Sequence, residues 1–139
     1  MGQRYNGVLG QEKGWAMVSN SSDRQILLVE DNVDTSRVMK KLLERVGYGV
    51  QTADGVASAL QAWGRQKFDL VISDVGLPDG SGLDLIRQLL AMYPAKAIAL
   101  SGYNLDDELH RGQPDAAVEH LVKPVDMKQL EAAIQRLLA

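Results

Sequence analysis

Asp69-Leu70-Val71-Ile72-Ser73-Asp74, running on into Val75-Gly76-Leu77-Pro78-Asp79-Gly80, is the stretch around which this chain is organised. Four apolar or small residues rich in β-branched side chains precede an aspartate, and a Gly/Pro-rich loop follows. A short apolar run bounded by turn signals is how a strand buried on both faces reads. The carboxyl end of such a strand is where open α/β sheets bind their ligands. Taken alone, Asp74 serves equally well as a loop cap, because Asp favours turns.

Other segments repeat this grammar on either side. Ile26-Leu27-Leu28-Val29 is a second fully apolar run, closing on Glu30-Asp31. A helix is expected next, with Asp34 as N-cap and Val38, Met39, Leu42, Leu43 and Val46 along one face. Gly47 stands where a C-terminal glycine belongs. Residues 50–53 read as a short strand, after which Asp54 caps a helix striped by Val56, Ala59, Leu60 and Trp63. Beyond the strand ending at Asp74, a helix carries Leu85, Ile86, Leu89 and Leu90, with Ser81 and Asp84 at capping-box spacing. Residues 97–100 form the next strand, ending in Ser101-Gly102. Residues 105–111 make a poor helix with few apolar positions. Residues 118–122 are a last strand closing on Lys123-Pro124. Asp126 and Gln129 then form a capping box for a helix apolar at Met127, Leu130, Ile134, Leu137 and Leu138. Strand then helix, five times over, predicts an α/β fold with a doubly wound five-stranded parallel sheet.

Composition narrows the classes. The chain has 139 residues, the size of one ordinary domain, and 45% are hydrophobic, enough for a sizeable core. Fifteen Lys+Arg against 18 Asp+Glu leave a formal net charge of -3, so nucleic acid and anionic membranes are not expected as partners. There is no cysteine, which excludes disulfides, thiol catalysis and Cys-ligated zinc. No apolar run approaches the ~20 residues of a membrane span, and no signal-peptide h-region opens the chain. A cytoplasmic protein is expected. Residues 1–23, broken by glycines and ending in Ser19-Asn20-Ser21-Ser22, read as an N-terminal extension or linker before a domain at 24–139. Trp15, Met17 and Val18 are apolar enough to dock on that domain.

In a sheet of this kind the residues after each strand share one rim. That rim would collect Glu30 and Asp31, Asp74, Ser101 and Lys123. Three ionised carboxylates at close quarters repel unless a cation compensates them. Mg²⁺ suits the need, since it takes oxygen ligands and tolerates few carboxylates with several waters. Lys123 offers a point charge for a phosphoryl oxygen, and Ser101 a hydroxyl donor. An aspartate beside Mg²⁺, a lysine and a hydroxyl is the equipment for an aspartyl-phosphate. Any one of these residues alone means little; the set of five at strand ends is the signal.

At these positions the chain resembles the receiver domain of two-component response regulators. The resemblance rests on Leu28-Val29-Glu30-Asp31-Asn32, on residues 71–82 around Asp74, on Ala99-Leu100-Ser101-Gly102-Tyr103 and on Val122-Lys123-Pro124-Val125, in family order and at family spacing. It covers roughly residues 24–139 and looks most like the receivers of hybrid sensor histidine kinases. It implies a flavodoxin-like (βα)5 fold with strand order 2-1-3-4-5. It also implies that Asp74 is the phosphoacceptor, taking its group from the phosphohistidine of a histidine kinase or histidine phosphotransfer domain. Asp31, Asp74 and the backbone carbonyl of Gly76 would then bind Mg²⁺, with Glu30 acting mainly through water. Ser101 would hydrogen-bond the phosphoryl group and Lys123 would pair with it. A cis bond between Lys123 and Pro124 is implied as well.

The same likeness places a switch at Ser101 and His120, and a partner surface on the 105–139 face. New charge on Asp74 would draw Ser101 and Lys123 inward and shift the weakly apolar segment after Ser101. His120 stands where the family usually has Tyr or Phe; an imidazole titrates near neutrality, although a partly exposed spacer is the blander reading. Gly102 replaces a commoner alanine and is expected to let water reach the phosphoryl group. Two other functions compete. One is a receiver-like interaction module that works without phosphorylation. The other is an Mg²⁺-dependent phosphohydrolase, for which Gly76 stands where a second acid is needed. The favoured expectation is therefore a signalling phosphoacceptor rather than an enzyme in the ordinary sense.

Overall fold

The computed structural model describes residues 24–102 and 117–139. Five parallel strands form one sheet: β1 (Gln25–Val29), β2 (Gly49–Ala53), β3 (Leu70–Asp74), β6 (Lys96–Ser101) and β7 (Val118–Val122). Their spatial order is β2-β1-β3-β6-β7. Counting only these five, that is the order 2-1-3-4-5 the resemblance implied. Between them lie helices α1 (Val33–Val46), α2 (Val56–Arg65) and α3 (Gly82–Met92), and a C-terminal helix spans Met127–Leu138. The weak helix expected at 105–111 and the extension at 1–23 lie outside the described residues.

The continuous apolar runs make sense once both faces are covered. Side chains alternate along a strand, so each run feeds two cores. Leu27, Val29, Val71, Ala97 and Ala99 pack with Ala59, Trp63, Leu85 and Leu89 of α2 and α3. Ile26, Leu28, Leu70, Ile72, Ile98 and Leu100 pack with Leu43 of α1 and Leu130, Ile134 and Leu137 of the C-terminal helix. Central β3 is buried at every position, including Ser73 and Asp74. Edge strand β7 is held to the C-terminal helix by Arg136, whose Nη2 and Nε reach Glu119 at 2.7 and 3.3 Å.

Several local expectations need correction. The N-cap of α1 is Asn32, whose side chain accepts from the Thr35 N–H at 2.9 Å; Asp34 sits in the first turn. Of the apolar face assigned to α1, Leu43 is fully buried while Val38 is 57% exposed. The helix rests on the sheet through the narrow line Ser36, Met39 and Leu43, which leaves Val38 and Val46 on its flank. Asp54 does not cap α2: the cap position is Gly55, and Ser58 Oγ accepts from the Asp54 and Gly55 N–H groups. Ser81 caps α3, accepting from the Leu83 and Asp84 N–H groups, but Asp84 turns outward to Arg87 at 2.8 Å. Asp126 caps the C-terminal helix through the Lys128 N–H.

The loop after Asp74 is more ordered than its glycines and proline suggest. Gly76–Leu77 (β4) and Gly80–Ser81 (β5) pair antiparallel across a turn at Pro78 and Asp79. The chain then passes over the end of β3 so closely that a Cβ on Gly82 would lie 1.8 Å from the Asp74 carbonyl oxygen. Backbone cannot yield there as a side chain would. Gly82→Ala is therefore expected to destabilise the domain by about 2 kcal/mol or more, the cost of overpacking a site that cannot relax. Urea unfolding measures it, and a change under about 0.5 kcal/mol, ordinary for surface substitutions, would contradict the close approach.

Candidate functional site at the strand ends

The register brings three acids together. Val29 of β1 lies beside Ser73 of β3, so the next residue on each strand, Glu30 and Asp74, emerges at the same level. Glu30 continues the strand briefly, its N–H donating to the Ala53 carbonyl at 2.9 Å. Oxygens of Glu30, Asp31 and Asp74 lie within 4.8 Å of one another, Asp31 being the exposed member. Ser101 ends the neighbouring strand β6, buried, one residue past Leu100, the partner of Asp74.

Lys123 comes from further away. Its strand, β7, is two places from β3, roughly 10 Å at ordinary strand spacing. A long side chain is needed to cross that gap, and the Lys123 ammonium reaches Asp74 Oδ1 at 2.5 Å and Glu30 Oε1 at 3.7 Å. Its backbone N–H donates to the Ser101 carbonyl at 2.6 Å, tying the two strand ends together. The following Lys123–Pro124 bond is cis, as the resemblance implied.

The contact with Asp74 is charge-assisted, the ammonium lying directly against the buried Asp74 Oδ1. Burial pulls the Lys123 ammonium down, but contact with Asp74 and the charges of Glu30 and Asp31 outweigh it, and its pKa is raised. Burial pushes the Glu30 carboxyl up; the Asn32 N–H pulls it back, and the adjacent Asp74 carboxylate raises it again. The net direction is upward. Above the acids lies a cleft of about 770 Å³ whose lining includes Thr35, Met39, Gly76, Lys123 and Met127.

This geometry tests the donor set for a divalent cation. One exposed carboxylate, Asp31, and two buried ones, Glu30 and Asp74, are hard oxygen donors of the kind Mg²⁺ takes. All five strand-end residues singled out in the sequence therefore converge on one rim. His120 is on β7, opposite Ala99, and only partly buried. Gly102 is exposed, with open space where a Cβ would go. Sequence reasoning missed Asp79, whose carboxylate accepts from the Val56 and Ala57 N–H groups at the start of α2. No local pattern signals a cap supplied from 23 residues away.

A family model described as the response regulator receiver domain matches residues 26–135. Among curated relatives, the DNA-binding transcriptional regulator NtrC of Azospirillum brasilense is 35% identical over 115 residues, covering 81% of this chain and 24% of that protein. The response regulator protein PilR of Pseudomonas aeruginosa is 30% identical over 118 residues, covering 84% and 26%. A CheY-like receiver domain from Methylobacillus flagellatus superposes with a TM-score of 0.70 at 31% identity, covering 82% of this chain and 98% of that one. The receiver domain of the hybrid histidine kinase CckA gives 0.68 at 31% identity, covering 83% and 99%. The chain belongs to the receiver domain family of two-component response regulators.

It spans about a quarter of the length of the curated relatives it matches. Those relatives include proteins named as DNA-binding or transcriptional regulators. The expectation that nucleic acid plays no part is thus unsupported for any longer protein of that kind. Nor is the likeness specific to hybrid kinases, since transcriptional and DNA-binding regulators match as well. Among the described residues no helix is long and apolar enough to cross a membrane.

The raised Glu30 pKa has a consequence for stability. Native Glu30 keeps its proton to higher pH than an unfolded glutamate, so the folded state binds more protons in that window and loses stability as pH rises through it. Without divalent cations, wild type should therefore lose stability relative to Glu30→Gln as the pH is raised from about 4, near the ordinary glutamate pKa, to 7. Paired urea midpoints read this; a difference that stays constant with pH would contradict it.

Proposed function

We propose that this domain is a phosphoacceptor in a two-component phosphorelay, with Asp74 receiving a phosphoryl group from a phosphohistidine. The single observation that supports it most is the convergence of Glu30, Asp31 and the buried Asp74 on one rim, with the Lys123 ammonium against Asp74 Oδ1.

In the proposed step, an Asp74 carboxylate oxygen attacks phosphorus in line with the bond to the donor imidazole. A P–O bond forms, the P–N bond breaks, and the imidazole departs with its electron pair and is protonated by solvent. Lys123, already against Asp74, follows the charge onto the phosphoryl oxygens. Ser101, one strand nearer, supplies a hydroxyl donor to another. Asp31, Asp74 and the Gly76 carbonyl would hold Mg²⁺, with Glu30 acting through water. When bound, that ion supplies neutralisation of charge on the transferring group.

The output follows from a change of charge. A phosphoryl group adds roughly -1.5 to -2 charges at neutral pH, and Ser101 and Lys123 would transmit it to the face beyond β6 and β7. The partner that donates is a histidine kinase or a histidine phosphotransfer domain. The partner that listens lies on that face, within or outside the same polypeptide. The likeness to the CckA receiver favours a hybrid-kinase origin; the likeness to NtrC and PilR equally favours a regulator with further domains. An interaction module that never carries phosphate would not need a buried aspartate paired with a lysine at the rim. A phosphohydrolase would need an acid where Gly76 stands.

Incubation with Mg²⁺ and a small phosphodonor, followed by intact mass, should show one added phosphoryl group that is absent in Asp74→Asn. Lys123→Ala should slow the transfer by on the order of 10²-fold, as loss of one charge-stabilising donor typically does. Phosphorylation of Asp74→Asn at the wild-type level would end this reading. Gly102→Ala, which meets no atom within 4 Å, should lengthen the phosphoryl lifetime if open space there admits water. An unchanged decay rate would remove Gly102 from that role.

A further inference from the structure

We propose that Asp79 is a positioning residue for the cation site, pinning the short β4–β5 ribbon against the start of α2 so that the Gly76 carbonyl is held beside Asp74. This rests on the metal reading given above. The ribbon is anchored at one end where the Gly82 N–H donates to the Val75 carbonyl at 2.7 Å. At its other end is the turn, and there Asp79 Oδ1 accepts from Val56 N–H at 2.7 Å while Oδ2 accepts from Ala57 N–H at 3.1 Å. These two donors have no partner within α2, since the first N–H groups of any helix are orphaned. A carboxylate is favoured there by the helix dipole too.

The two surfaces are shaped to each other. A Cβ on Gly55 would lie 2.7 Å from Asp79 Oδ1, so the absence of a side chain makes room for the cap. Gly80 has φ +157°, and a Cβ there would lie 3.1 Å from Val56 Cγ2. Leu77 packs under the ribbon against the α2–α3 core. Gly76 itself pairs with Ser81, the α3 cap, so the carbonyl proposed to face the cation belongs to a segment fastened at both ends. Residues that hold a metal ligand in place typically affect affinity 10–100-fold although they never touch the ion.

Titration of the full chain with MgCl₂, followed by amide NMR, tests the idea. Asp79 is exposed, so its variants are expected to fold. Asp79→Ala should weaken Mg²⁺ binding about tenfold and speed hydrogen exchange at the Val56 and Ala57 amides. Gly55→Ala should weaken binding in the same direction, because its methyl displaces the Asp79 carboxylate while leaving every charge in place. Asp79→Asn, which keeps an accepting oxygen, should fall between wild type and Asp79→Ala. Equal affinity in wild type, Asp79→Ala and Gly55→Ala, with exchange at Val56 and Ala57 faster, overturns the proposal and leaves the metal reading standing. Equal loss in Asp79→Ala and Asp79→Asn with none in Gly55→Ala overturns it in favour of a through-space charge effect. A wild-type protein that takes up no Mg²⁺ overturns both.

Discussion

The Lys123–Asp74 ion pair is the constraint on which the rest of the domain depends. Asp74 is 4% exposed at the end of the central strand, where a lone charge would be costly. Its compensation arrives from β7, two strands away, so the sheet must be complete before the charge is balanced. Glu30 adds a second buried acid within reach of the same ammonium. One cation against an acidic cluster leaves negative charge in excess, which a divalent ion would offset.

Everything below the rim serves to hold it still. Strict alternation on β1, β3 and β6 splits the apolar residues into two cores of comparable make-up, so the sheet is clamped from both faces. On one face Trp63 stacks on Tyr93 at 4.8 Å and on Phe68 at 5.5 Å, joining α2 to the end of α3. Gly82 lets α3 begin directly over the Asp74 carbonyl. Asp74 therefore sits at the end of a rigid central strand, as Ser101 does on β6, while Asp31 and Lys123 lie just beyond their strands.

The main elements and the residues at the strand ends were legible because they follow from rules of short range. Ile26-Leu27-Leu28-Val29 and Leu70-Val71-Ile72 could be strands of a covered sheet or little else, and acids directly after them had to lie on its carboxyl rim. Cap assignments were read less well. Asp34 and Asp54 were chosen because Asp is a good cap, yet Asn32 and Gly55 took those positions. At α2 the carboxylate arrives from Asp79 instead. A residue's capping propensity is local, whereas the winner at each helix start was decided by where neighbouring loops could place an oxygen. Val38 likewise fits the helical period of α1 but faces outward, because the helix touches the sheet along a line narrower than its apolar stripe.

By itself, the sequence determined the alternation of strand and helix, the sheet's burial on both faces, and which side chains stand at its carboxyl ends. Those properties reside in composition and period, which act over a few residues. Only the tertiary structure decided that Lys123 spans a whole strand to meet Asp74, and that Asp79 closes the start of a helix 23 residues earlier. Each depends on the distance between backbone segments remote in the chain. Such distances are set by how two cores pack against one sheet, and no window of sequence contains them.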